Sequence, residues 1–471
     1  MAGVLDKIYA KSPVVVQNLG VTLFGVVWKN RRYGGIFRQR LEEFKQRESF
    51  RHDEWLKYQE RELRAMLVHA FDSVPYYSRS FEDARVTRSE LLSFEMKQIA
   101  QLPTITKGDL RREPGNFIAT THKRAKLHRY ATSGTTGTPV SIYMSSAVHQ
   151  SWLAAYEARC RNWAGVDRSM SRAMIGGRMV VPKAESKPPF WRFNHAEQQL
   201  YMSAFHISPT NVPHYVRALN EYKPKYLVGY ASSHFFLARM IEEQSLKVHR
   251  PLAVLTSSEK LTPEMRDQIQ RTYGCEVFDG YSGLEACCLA SECEHHNLHL
   301  SPDVGLVELL NEDGFPVAPD EIGEIVATGF LNNAQPLIRY RTGDFAVVSS
   351  EQCPCRRHMP FLSELVGRLE DTVVGSDGRE LVRFHGIFLD LPHVREGQVI
   401  QETLTRFRIR LVVSEGFSEA ENAIIRERME TRLGKITLEI ELVDSIERTE
   451  RGKYKAVISR VNRKPLKVTI Q

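Results

Sequence analysis

The sequence has no run of about 20 apolar residues, no internal repeat and no low-complexity tract. A membrane-spanning bundle and a solenoid are therefore not expected. The seven cysteines lack the spacing of a secreted disulfide framework. Five of them, Cys287, Cys288, Cys293, Cys353 and Cys355, crowd two short segments, which points to metal or packing in a reducing cytoplasm. No charged leader with a cleavable apolar core opens the chain, so export is not expected. A concentrated basic face is missing too: the net charge of +7 is spread along the chain, and nucleic acid is not an expected partner. The phosphate-binding pattern GxxxxGK[ST] is absent, so any lysine that meets a phosphate comes from elsewhere.

What remains is a chain of 471 residues, 42% hydrophobic and 26% charged, the composition of a soluble globular protein of two or three domains. The segment "PVVVQNLGVTLFGVVW" (13–28) is interrupted by Gln17 and Asn18 and ends in "KNRR". It reads as a helix packed on the protein body, with peripheral membrane contact through 13–32 as the alternative. Apolar periodicity predicts helices over 53–72, 146–163 and 211–222. Residues 252–281 read as β-α-β: "LAVLT", a helix opened by Thr262-Pro263 and closed by Gly274, then "CEVFDGY". Such a unit implies a parallel sheet with function at the strand ends. "VGLVELL", "GEIVATG" and "FAVVS" (304–348) predict an antiparallel region. A boundary is expected after "VGRLEDTVV" (366–374), followed by a small α+β unit with a helix near 417–433 and a charged loop, "ERTERGKYK".

The stretch "YATSGTTGTPV" concentrates glycine and small hydroxyl residues before a strand-like pattern. Gly134 and Gly137 allow close backbone approach to an anion, and the hydroxyls add donors without bulk. A plain flexible turn has the same composition. The segment resembles the phosphate loop of the adenylate-forming enzymes, and further matches follow in that family's order. "FDGYSGLEA" (278–286) resembles the adenine and magnesium motif, "YRTGD" (340–344) the ribose-binding strand end, "GRLED" (367–371) the interdomain hinge, and "ERTERGKYK" (447–455) the terminal lysine loop. The likeness is nearest to the phenylacetate–CoA ligase branch and its CapK-like members, which often sit with capsular polysaccharide genes. It extends through "RRYGG", "LPTITKGDLRR", "SAFHISPTNVPHYVRALNEYKPKYLVGYASS" and "LTSSEKLTPEMR".

That resemblance implies an α/β fold with a large N-terminal adenylation domain, 1–367, including a helical extension over about 1–75. A small mobile C-terminal α+β domain, 368–471, would carry the catalytic lysine. It also implies roles. Ser133, Gly134, Thr135, Thr136, Gly137 and Thr138 would hold the β- and γ-phosphates of ATP. Tyr281, with Ser282 beside it, would stack on adenine, Glu285 would bind Mg²⁺ and Asp344 would take the ribose hydroxyls. Arg368 would reach the nucleotide from the hinge, and Lys453 would neutralise charge between a carboxylate and the α-phosphate. Two departures stand out: Glu370-Asp371 replaces two aspartates at the hinge, and Leu284 precedes Glu285 where a polar residue is commoner.

"CEHHNLH" and "CPC" supply a Cys/His set, Cys293, His299, Cys353 and Cys355, suited to a closed structural zinc site, with His295, His296 and His358 as substitutes. Packed free thiols are the alternative. The expected activity is ATP-dependent activation of a carboxylic acid, then acyl transfer to CoA or to another thiol or amine acceptor. The rivals are adenylyl transfer to a non-carboxylate acceptor and a scaffold with a decayed site. The acid's pocket is expected between about 174 and 260, with His206 either near the carboxylate or a hydrogen-bonded core histidine.

Overall fold

The structure is a computed structural model that describes residues 8–131, 140–176, 178, 180–182, 185, 187–368, 373–374, 380–381, 387–388, 391–448 and 454–461. The N-terminal part is helical: α1 (Val14–Tyr33), α2 (Phe37–Gln46) and α3 (His52–Ser73). The last of these is the helix predicted over 53–72, and it buries Leu63, Met66, Leu67 and Ala70 as its spacing requires. A hairpin, β1 (His128–Ala131) with β2 (Ser141–Met144), flanks the hydroxyl-rich segment, and α4 (Ser146–Tyr156) follows. The expected single helix over 146–163 instead passes at Glu157 into a π-helical turn, Glu157–Arg161, in which Glu157, Arg159 and Arg161 are all buried. Buried charges at consecutive odd positions leave no trace in apolar periodicity.

A wide mixed sheet organises the rest. Its parallel block comprises β3 (Arg172–Gly176), β5 (Gln199–Ser203), β6 (Tyr226–Gly229), β7 (Ala253–Ser257) and β8 (Glu276–Ser282), with β4 (Trp191–Asn194) antiparallel at its edge. Helices α5 (Val212–Tyr222), α6 (Ala231–Glu243) and α7 (Pro263–Tyr273) make the crossovers. The predicted β-α-β unit has its predicted caps: Met265 N–H donates to Thr262 Oγ1, and Gly274 ends α7 at φ +63°. The crossovers bury Val212, Tyr215, Leu219, Leu237, Ile269 and Tyr273 against Ile175, Leu200 and Val254 of the sheet. Gly229, at the end of β6, has φ +157°, and a Cβ there would stand 1.9 Å from Ile175 O. No other residue fits that crossing.

Beyond β8 the sheet turns antiparallel through β9 (Leu289–Glu292), β10 (Leu298–Leu300), β11 (Gly305–Leu310), β12 (Ile322–Gly329), β13 (Tyr340–Val348) and β14 (Phe361–Arg368). The twelve strands run in the order β11-β12-β13-β14-β10-β9-β8-β7-β6-β3-β5-β4. This is the antiparallel region expected over 304–348. A short pair, β15 (Val373–Val374) with β16 (Glu380–Leu381), precedes a separate four-stranded sheet of order β19-β18-β17-β20. Its strands are β17 (Val394–Gln401), β18 (Arg406–Val413), β19 (Thr437–Leu442) and β20 (Val457–Ser459), and α8 (Glu419–Leu433) packs Ile425 and Met429 onto Phe407, Ile409 and Leu411.

Helix α1 is seated with its polar residues inward. Phe193 N–H donates to Asn18 Oδ1 (3.0 Å), His195 N–H to Thr22 Oγ1 (3.2 Å), and Arg192 to Gln17 Oε1. Of the residues that interrupt the apolar run, Asn18 thus satisfies an outer backbone N–H of β4 and Gln17 the guanidinium of Arg192.

Candidate active site

Two motifs distant in sequence meet at the carboxyl end of the parallel block. Tyr281 is the penultimate residue of β8 and donates its phenol to Asp344 Oδ2 at 2.8 Å. Tyr340 opens β13 and donates to Glu285 Oε1 at 3.0 Å. Each motif is a tyrosine followed four residues later by a carboxylate, and each tyrosine bonds the other motif's acid. Burial first, and then the partner carboxylate, push both phenols well above their ordinary range, so both stay protonated donors. Tyr340 was not singled out from the sequence. The repeated Tyr-x-x-x-acid spacing was its visible signal.

The surroundings fix both carboxylates. Asp344 N–H donates to Thr342 Oγ1 (3.0 Å), and Lys107 Nζ donates to Thr342 O (2.8 Å). Gly343 takes φ +76°, the turn that aims Asp344 back at β8. A Cβ on residue 283 would lie 2.5 Å from Glu285 Oε2, so the glycine of "YSGLE" makes room for the acid. Ser282 ends β8, paired in register with Leu289. Asp344 faces Arg368 in the β13–β14 register, so the hinge begins beside the expected ribose residue. The structure thus brings Tyr281, Ser282, Glu285 and Asp344 together. Ser133, Gly134, Thr135, Thr136, Gly137, Thr138 and Lys453 lie outside the described residues, as does the Arg368 side chain.

The neighbour of Lys453 is described. Tyr454 N–H donates to Glu259 Oε1 (3.0 Å), two residues past β7, and Glu259 Oε2 also accepts from Ser232 N–H (3.0 Å) and its hydroxyl at the start of α6. The Tyr454 ring meets Phe236 edge-on at 5.6 Å, and Arg448 lies over both rings while bonding Glu396 (2.7 Å). Arg239 of α6 donates to Val394 O (2.8 Å), and Arg395 pairs with Glu243 (3.4 Å). Tyr454, the residue after the expected lysine, is therefore held one strand from Tyr281. His206 donates or accepts at Ser203 Oγ (2.7 Å) and stacks on Phe190 at 5.0 Å, the hydrogen-bonded core arrangement.

The Cys/His set also converges. The ligand atoms of Cys293, His299, Cys353 and Cys355 all lie within 4.8 Å of one another. Cys293 Sγ and Cys353 Sγ are 3.6 Å apart, and Cys355 Sγ and His299 Nε2 are 3.3 Å apart. A tetrahedral zinc site has S–S edges of about 3.8 Å and S–N edges of about 3.5 Å, so the set fits that ion. His299 Nδ1–H donates to Met359 O (2.9 Å), which leaves Nε2 as the lone-pair nitrogen facing the thiols. Asn297 Nδ2 donates to Cys353 Sγ (3.0 Å), and Trp55, Tyr58, Trp163 and Phe361 wall the site. His296, one proposed substitute, turns instead to Glu276 (3.1 Å) and Glu292 (3.3 Å).

A mixed sheet of this order is followed by a small four-stranded sheet with one helix, and Tyr454 lies back against the strand ends of the large sheet. The comparisons carry this further. A family model described as the CapK C-terminal domain matches residues 375–460. Protein CapK of Staphylococcus aureus is 26% identical over 466 residues, 97% of this chain and 100% of that protein. A phenylacetate–coenzyme A ligase of Thermus thermophilus is 24% identical over 331 residues, covering 67% of this chain and 71% of the ligase. Among solved structures, 2-hydroxyisobutyryl-CoA ligase in its postadenylation state, in complex with R3-HIB-AMP, matches with a TM-score of 0.70 at 20% identity, covering 88% of this chain and 91% of that one. The same enzyme in its thioesterification state gives a TM-score of 0.56. The chain is thus similar to CapK over nearly its whole length and to a phenylacetate–CoA ligase over two thirds of it, and it shares its fold with 2-hydroxyisobutyryl-CoA ligase.

Proposed function

We propose that this protein activates a carboxylic acid with ATP and passes the acyl group to CoA or to another thiol or amine acceptor. In the first step a carboxylate oxygen bonds to the α-phosphorus, the bond to the β-phosphate oxygen breaks, and pyrophosphate leaves. In the second the acceptor attacks the acyl carbon, its proton is lost, and AMP leaves. Two anions must meet in the first step, so cations and aligned donors are its main need. The hydroxyls and amides of Ser133–Thr138 grip the β- and γ-phosphates of magnesium-bound ATP, and Glu285 offers a hard oxygen ligand to the metal. Tyr281 stacks on adenine and Asp344 accepts from the ribose hydroxyls, with Arg368 reaching in from the hinge. Lys453 sits between carboxylate and α-phosphate.

The observation that carries this reading is the convergence of four independent segments: the β8 end, the β13 motif, the hinge strand and the Tyr454 anchor. We take 1–367 and 368–471 as the two moving units, with rotation at Glu370-Asp371 withdrawing Lys453 for the second step. The Cys/His cluster, by the same proposal, holds a structural zinc ion that clasps the β9–β10 turn to the segment before β14. A role in surface polysaccharide assembly rests on the likeness to CapK, and a cytoplasmic location on the reduced cysteines. ATP–pyrophosphate exchange across a carboxylic-acid library tests the activity. In that assay Lys453→Ala should abolish exchange while ATP still binds. Exchange at the wild-type rate would remove the lysine from the mechanism, and a stable AMP adduct on a hydroxyl acceptor would replace the proposed reaction.

A further inference from the structure

Helix α1 is built inside out. Its inward face carries Gln17, Asn18, Thr22, Gly25 and Trp28, set against β4 and α4. Gly25 is needed there, because a Cβ would fall 2.4 Å from the Asn194 amide. Its outward face carries Val15, Val16, Leu19, Leu23, Val26 and Val27, with Val15 78%, Leu23 60% and Val27 67% exposed. These positions recur at three- and four-residue intervals and form one apolar stripe about 18 Å long. Phe24, 47% exposed, borders it. A stripe of this size facing water is not the ordinary scatter of surface apolar residues.

The charges around the stripe select its partner. Between Lys7 and Glu42 the sequence holds no Asp or Glu, while Lys11, Lys29, Arg31, Arg32, Arg38 and Arg40 are all basic. Lys11 and Lys29, both exposed, mark the two ends of the stripe. Arg31 and Arg32 lie over Trp28 at 4.9 and 4.6 Å, and Arg178 covers Phe24 at 4.9 Å. Glu197, on the element that packs beneath, is buried and paired with Arg32 and Arg172. A second copy docking stripe to stripe about a two-fold axis would bring Lys11 of each molecule towards the basic end of the other. An anionic lipid surface has the complementary sign and an apolar interior. Among the described residues no helix is long and apolar enough to cross a membrane, so the helix would lie in the interface.

We infer that α1 is a membrane-surface anchor: its outward stripe inserts among acyl chains while the flanking lysines meet anionic headgroups. This inference stands apart from the chemistry proposed for the active site. The test is flotation of the full chain with vesicles of phosphatidylcholine alone or with a minority of phosphatidylglycerol. The wild type should float with the anionic vesicles, and less so as salt rises. The variant Leu19→Gln/Leu23→Gln/Val27→Gln changes exposed positions only, and its partition should fall on the order of 100-fold with an unchanged melting curve. Lys11→Ala/Lys29→Ala should erase the preference for anionic vesicles. No flotation of the wild type, or equal flotation of the triple variant, overturns the inference. So does a wild-type dimer in sedimentation that the triple variant converts to monomer without any vesicle binding, which would give the face to a second copy.

Discussion

The zinc ion proposed for the Cys/His cluster predicts a loss of stability on chelation that can be worked out from the site. Cys293 and His299 are fully buried and Cys353 is 7% exposed, whereas Cys355 is half-buried. Cys355→Ser therefore removes one ligand with the least damage to packing. A closed site that is saturated about a thousandfold over its dissociation constant adds about 4 kcal/mol to folding stability. At roughly 2 °C per kcal/mol for a large domain, the melting temperature should drop by on the order of 8 °C. The assay pairs metal content with thermal melts, for wild type and Cys355→Ser, each with and without a chelator. Wild type should carry one zinc per chain and lose stability on chelation. The serine variant should start low and show no further fall, which separates loss of metal from loss of packing. Folded wild type that holds less than about a tenth of an equivalent, and melts identically with chelator, would refute the reasoning.

Other substitutions probe the remaining contacts. Asp303 is fully buried between Arg47 (2.9 Å) and Arg159 (3.2 Å), and Arg159 also pairs with Glu48 (2.6 Å), so Asp303→Asn should cost about 3–5 kcal/mol in urea unfolding. A loss under about 1 kcal/mol would show that the network is not a stabilising tie between the N-terminal helices and the sheet. Glu259 acts as a positioning residue through Tyr454, and Glu259→Gln should slow adenylate formation about tenfold while leaving the acyl-transfer half-reaction from supplied acyl-adenylate unchanged. Equal slowing of both half-reactions would count against that role. The Tyr281 phenol donates to Asp344, an acceptor the ribose hydroxyls would compete for, so Tyr281→Phe, which keeps the ring, should bind ATP at least as tightly as wild type. Calorimetry showing a loss greater than about tenfold would mean that the phenol itself serves the nucleotide.

Much of the fold could be read along the chain because its signals are local. Thr262, Pro263 and Gly274 fix the ends of α7 by side-chain capping and left-handed backbone, and alternation marks the strands over 304–348. The metal set was equally legible, since Cys-x-Cys and the Cys293–His299 pair carry their chemistry in their spacing. What stayed hidden depends on neighbours distant in sequence. Tyr340 gains its place only when β13 swings beside the β8 end. Gln17 and Asn18 look like flaws in an apolar segment until β4 lies alongside with N–H groups to satisfy. Glu157, Arg159 and Arg161 read as solvent residues until a π turn buries them, pairing Arg161 with Glu157 and Arg159 with Glu48 and Asp303.

The polar seat of the first helix has a bearing on how the molecule could fail. Strand β4 terminates a twelve-stranded sheet, and side chains borrowed from α1 cover its outward amides at 193 and 195. Stripped of that cover, the rim would be a template on which an identical strand from another molecule could add. Versions of the protein shortened at the front should thus be lost to intermolecular sheet growth before any catalytic defect could be measured.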